Sequence, residues 1–195
     1  MARKLEFDVE LALHKAMKLF WKKGYEATSM QDLVDELGIN RFSIYNSFGD
    51  KKSLFLQSLV HYRNTVFSFL IQPLVSSERA KKRLDDYFSL ISKQLQSNAG
   101  KLGCMVQNTG LSYVSLEKEV IQILKAMLGD LREALIKTID EAKKDGDISV
   151  EASSAVLADH ILCQIQGLII LRKTLVDTGM EQPQMNLLRQ QVANW

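Results

Sequence analysis

In the run INRFSIYNSFGDKKSLF, Ile39 to Phe55, three aromatic residues, Phe42, Tyr45 and Phe48, stand among Arg41, Asn46, Lys51 and Lys52. These side chains suit binding. A guanidinium or an amide can bond the edge of a base, an apolar ring can meet a thymine methyl, and an ammonium at a helix N-terminus can hold a phosphate. Catalysis has less to work with. His14, His61 and His160 have no carboxylate or cysteine partner at metal-ligand or nucleophile spacing, so neither an enzyme nor a metal or other cofactor is expected.

If Arg41 to Phe48 is a helix, Ile44 and Phe48 share one face and can pack inward. Arg41, Phe42, Ser43, Asn46 and Ser47 are then left outward, an unusual mixture for a merely solvated face. Tyr45 lies at the edge, with its ring half-buried and its hydroxyl within reach of a phosphate. Lys51 begins the next helix, where backbone N–H groups and an ammonium can act together. Thr28, Ser29 and Gln31, at the start of the preceding helix, are placed to do the same on the other side of a groove.

The elements that must hold these residues follow from caps and periodicity. Asp8 caps a first helix ended by Gly24, with Val9, Leu13, Ala16 and Phe20 on one face. Ser29, followed three residues later by Asp32, resembles a capping box for a second helix, ended by Gly38. Asn40 caps the third. Two short helices joined by a glycine-containing turn read as a helix-turn-helix. Asp50 caps a fourth helix that continues towards Pro73. Longer helices are expected over roughly 79–97, 105–113, 117–144 and 149–176, with a tail from Gln184. The expected fold is all-α: an N-terminal helix-turn-helix domain over 1–50 and a larger C-terminal helical bundle over 51–195.

Composition agrees with a folded, helical chain. Of 195 residues, 46% are hydrophobic and 25% charged, with only two prolines. The net charge of +2 means that contact with a polyanion depends on local arrangement, and up to Phe55 nine Lys or Arg face eight Asp or Glu. Several acids, such as Glu6, Glu10, Asp35 and Glu36, are therefore expected to point away from DNA. The most apolar run, ILCQIQGLIIL from Ile161, is short and broken by Gln164 and Gln166, so no membrane span is expected. With no apolar leader behind the N-terminus and two widely separated cysteines, the chain reads as cytoplasmic with reduced thiols.

The run Met17 to Phe55 resembles the DNA-binding domain of the TetR family of bacterial transcriptional regulators. The resemblance rests on GYEATS leading into the second helix, Gly38 and Ile39 at the turn, the Ile44–Tyr45 pair, and FGDKxxLF from Phe48 to Phe55. Ser47 stands where the family often has histidine. The resemblance implies that Arg41, Phe42, Ser43 and Asn46 face bases or nearby backbone, while Tyr45, Lys51 and Thr28 hold phosphates. It further implies a larger domain that binds a small effector and forms a homodimer, and so a repressor released from a palindromic operator of double-stranded DNA.

The sequence adds its own support for a dimer. The helix containing ADHILCQIQGLIILRKTL is apolar on more than one face, with Gly167 at its centre and Leu168 and Leu171 beside it, and a second chain is the simplest cover. Two recognition helices about 34 Å apart would match successive major grooves. For an effector, the expected lining is His61, Tyr62, Phe88, Cys104, Met105, Gln107, Asn108, Tyr113, Met127 and Gln164, an apolar set with a few polar groups. Cys104 also carries an alternative: near a helix N-terminus its thiolate would be favoured, and a similar Gly-Cys junction occurs in an electrophile-responsive branch of the TetR family. A helical adaptor that binds protein through the same aromatic face is the reading from another class.

Overall fold

In a computed structural model the chain is described over residues 7–112, 117–175 and 179–195, and it is helical throughout its regular elements. The helices are α1 (Val9–Lys23), α2 (Met30–Leu37), α3 (Arg41–Phe48), α4 (Lys51–Tyr62), α5 (Ser68–Ile71), α6 (Ala80–Gln96), α7 (Met105–Ser112), α8 (Lys118–Lys144), α9 (Ser154–Thr174) and α10 (Glu181–Ala193). The chain divides into two compact units, 1–65 with 105–124 and 66–104 with 125–195. This division lies beyond residue 50 because α4 packs on α1 and therefore stays with the helix-turn-helix.

In the first unit every expected cap is present. The Asp8 carboxylate accepts from the N–H groups of Glu10 and Leu11 at 3.0 Å. Ser29 and Asp32 close a reciprocal capping box, Asn40 accepts from Ser43 N–H, and Asp50 from Ser53 N–H. Each satisfies donors that a helix start leaves open. Gly38 ends α2 in the left-handed region (φ 69°), a conformation that costs any residue with a Cβ and that turns the chain sharply into α3.

The core of this unit is aromatic. Phe20 meets Phe55 edge to face at 5.1 Å between ring centres, and Trp21 meets Tyr62 at 5.0 Å. The buried face of α1 is Ala12, Ala16, Met17, Leu19, Phe20 and Trp21, whereas Val9 and Leu13, expected inward, are only half-buried. Ile44 and Phe48 are buried and fix α3 to the unit.

The expected helix runs on towards Pro73, but its winding changes along the way. After Tyr62 comes a π-helical stretch, Arg63–Phe67, then α5 and a 3-10 turn, Gln72–Val75. In the second unit α6, α9 and α10 share a core that includes Leu84, Phe88, Ile165, Leu168, Met185 and Leu188. Two buried arginines find acceptors there. Arg83 donates to the Leu74 carbonyl at 3.2 Å and pairs with Glu141, and Arg172 donates to the Leu95 carbonyl at 3.0 Å beside Glu181. The expected start of α9 near Ser149 is five residues early. The N–H groups of Ser149 and Val150 are drawn to the Trp195 carbonyl at 2.7 Å, and the helix begins only after the Ser153 cap. Conversely α10 begins at Glu181, ahead of Gln184, with Pro183 in its first turn, where a proline is tolerated.

Length and composition make α9 a possible membrane span, with mean hydropathy 1.6 over its most apolar window, contrary to the expectation that nothing in the chain would qualify. Its buried face, Leu157, Ala158, Ile161, Ile165 and Leu168, is part of the second unit's core.

Candidate nucleic-acid interface

The caps of α2, α3 and α4 converge on one feature, an α3 whose inner face is anchored and whose outer face is bare. Phe42 is 68% exposed and Tyr45 43%, while Arg41 and Asn46 are also exposed and Ser43 is half-buried. The Arg41 guanidinium lies 5.8 Å from the centre of the Tyr45 ring, so two of the expected contact residues already touch. An exposed phenylalanine beside arginine and asparagine loses apolar surface to water unless something covers it.

Ser47, expected outward, is only half-exposed, and its hydroxyl is buried without a hydrogen-bond partner among the described residues. Its position on α3, between the outward Asn46 and the inward Phe48, turns the Oγ towards the unit.

On the other side of the turn, Ser29 and Gln31 are exposed at the start of α2. Their side chains are already occupied: Ser29 Oγ donates to Asp32 at 2.8 Å, and Gln31 Nε2 donates to Asp35 at 2.8 Å. Asp32 also pairs with Lys23 at 2.7 Å. The Lys23 bond, with those from Ser29, holds the Asp32 carboxyl far below the usual carboxylate range. Thr28 departs from expectation. It is fully buried, and its hydroxyl donates to the Gly24 carbonyl at 2.6 Å, so its side chain closes the α1–α2 corner and offers no surface to a phosphate.

Lys51 is half-buried and bridges the two sides. Its Nζ donates to the Thr28 carbonyl at 2.7 Å and sits 4.3 Å from the centre of the Tyr25 ring. Neither Tyr25 nor this bond was legible from spacing. Nor was Gln57, whose amide donates to the Phe48 carbonyl at 3.0 Å and so closes the C-terminal end of α3.

The candidates for effector lining are divided between the two units. Tyr62, Phe88, Met105 and Met127 are core residues with almost no exposed surface, and Gln164 is exposed on the side of α9 away from its buried face. His61 lines an open groove in the first unit with Leu13, Leu56, Gln57, Val60 and Asn64. Phe88 lines a different, small pocket in the second unit with residues of α6 and α10. Gln107 and Asn108 are half-buried on α7, Cys104 is buried, and Tyr113 lies outside the described residues.

For the expected dimer face, Leu168 points the other way, into the core of its own unit, and Leu171 is half-buried. Gly167 is exposed with open space where a Cβ would stand. It continues a stripe of exposed residues, Val156, Cys163, Gly167 and Ile170, at helical spacing.

Residues 12–57 match the family model of bacterial regulatory proteins, tetR family. Over 165 residues the chain is 31% identical to the HTH-type transcriptional repressor ComR of Escherichia coli, covering 84% of this chain and 79% of that one. It is 28% identical to the HTH-type transcriptional regulator YezE of Bacillus subtilis over 178 residues, 91% of this chain and 92% of that one. Among solved structures it is similar to a cysteine mutant of the TetR family regulator CifR complexed with 26 bp of double-strand operator DNA, with TM-score 0.81, 23% identity and full coverage of both chains. At that identity the likeness is one of fold.

Proposed function

The chain belongs to the TetR family of bacterial transcriptional regulators, and on that footing we propose that it acts as a homodimeric repressor released from a palindromic operator by a small-molecule effector. The family is one of DNA-binding regulators and not of enzymes, and its place of work is the cytoplasm. The observation that carries the reading is the exposed face of α3: Arg41, Phe42, Tyr45 and Asn46 stand outward while Ile44 and Phe48 hold the helix in place. In a major groove Arg41 and Asn46 bond base edges, Phe42 meets thymine methyls, and Tyr45 and Lys51 fix the depth against phosphates.

The dimer rests on α9. Its exposed stripe, Val156, Cys163, Gly167 and Ile170, is the side left for a second copy once Leu168 is assigned to the core. An effector then acts by favouring a conformation in which the recognition helices of the two protomers no longer match successive grooves. A thiol-responsive form of the same reading rests on Cys104, which directly precedes the first residue of α7. Cys104 is buried, which limits the access of an electrophile to its sulfur, so the ligand-released form is the stronger.

Fluorescence anisotropy with the DNA upstream of the chain's own gene tests the groove assignment. Affinity is expected to fall steeply with added salt, as phosphate contacts release counterions. Arg41→Ala and Tyr45→Phe should both weaken binding; unchanged affinity in both would remove α3 from the interface.

A further inference from the structure

His14 and His61, 47 residues apart, meet where α1 packs on α4. The Nδ1 of His14 lies 3.3 Å from the Nε2 of His61, and the rings stand edge to face with centres 5.5 Å apart. The pair is within hydrogen-bond geometry, one ring's N–H donating to the other's lone pair according to tautomer, at a separation longer than the usual value of about 2.9–3.0 Å. That separation is also the one two imidazole nitrogens take on one tetrahedral ion, since bonds of about 2.0–2.1 Å at the tetrahedral angle set them about 3.3–3.4 Å apart. We propose that His14 and His61 form a two-histidine clip for a late first-row divalent cation, with water in the remaining positions, fastening α1 to α4 within the first unit.

Two features support this. His61 also lines the open groove with Gln57 and Asn64, which gives an ion a way in and amides to bond its waters. The donor set selects the ion class: among the described residues no carboxylate or thiolate completes a cluster of three, which leaves nothing for Mg2+ or Ca2+. Imidazole pairs suit Ni2+, Cu2+ and Zn2+. With two protein ligands and the Lys18 ammonium nearby, the clip binds weakly and reversibly, unlike a closed structural zinc site.

Calorimetric titration of the full chain with Zn2+ at neutral pH, in a Cys163→Ser background that silences the exposed thiol, is the test. One ion per chain is expected, with saturable binding lost in His14→Ala and in His61→Ala and kept in His160→Ala. Should the alanine variants fail to fold, imidazole nitrogen NMR of the otherwise unaltered chain decides: the His14 and His61 signals should shift together with Zn2+ while His160 stays still. Binding that survives either alanine substitution, a shift confined to His160, or no saturable uptake overturns the clip.

Discussion

The ammonium of Lys51, on the first residue of α4, donates a 2.7 Å hydrogen bond to the carbonyl of Thr28, one residue before the cap of α2. The chain segments on either side of the recognition helix are thereby tied to each other, and the same ammonium rests near the Tyr25 ring. A residue expected to face a phosphate is also a brace for the helix that reads the groove.

Lys51→Met keeps the alkyl stem and removes both contacts. Stability should fall by on the order of 1–2 kcal/mol, the range for a charged hydrogen bond with a cation–π contact, measured by urea unfolding. If Lys51 also holds a phosphate, the slope of log affinity against log salt should shrink by about one. A stability loss with an unchanged slope would assign Lys51 to the brace alone.

The carboxyls of Asp32, Asp50 and Asp159 are all held below their ordinary value of 3.8, chiefly by Lys23, by the Ser53 N–H and by Arg132 respectively. A carboxylate that binds its proton less readily folded than unfolded favours the fold above the ordinary value and loses that contribution as pH falls below it. The melting temperature should therefore be insensitive to these groups above about pH 5 and decline below about pH 4. Asp32→Asn should lower it at neutral pH and flatten part of the acid decline, which a melting series across that range would reveal.

The two sides of α9 separate by mutation. Leu168→Ala cuts into a buried contact and should cost about 2–5 kcal/mol without changing oligomeric state at temperatures where the chain stays folded. Ile170→Glu places a charge on the exposed stripe and should leave the fold intact by circular dichroism while shifting the sedimenting mass from dimer to monomer. A dimer that tolerates Ile170→Glu would move the interface elsewhere.

Ser47 carries a buried hydroxyl without a partner among the described residues. Ser47→Ala removes that cost and should leave the melting temperature equal or higher. A clear loss of DNA affinity in this variant, with the fold unchanged, would show that the hydroxyl turns outward on binding.

The sequence by itself determined the local order of the first unit. Asp8, Ser29, Asn40 and Asp50 cap helices through atoms two or three residues away, and Gly24, Gly38 and Gly49 stop them, so α1, α2 and α3 begin and end where expected. The exposure of Phe42 and the burial of Ile44 and Phe48 were likewise legible, because the 3.6-residue period assigns faces. Elsewhere the determining partner was distant in sequence. Period could not say which apolar face of α9 was core, since α10 and the 3-10 turn Ala99–Leu102 pack against it, and Leu168 fell inward. Nor could spacing find Thr28 sealing a corner, Lys51 reaching back across 23 residues, or His14 meeting His61 across 47. Capping and periodicity are written in neighbouring residues; which side chains meet across packed helices is settled only when the helices cross, and that is what the tertiary structure decided.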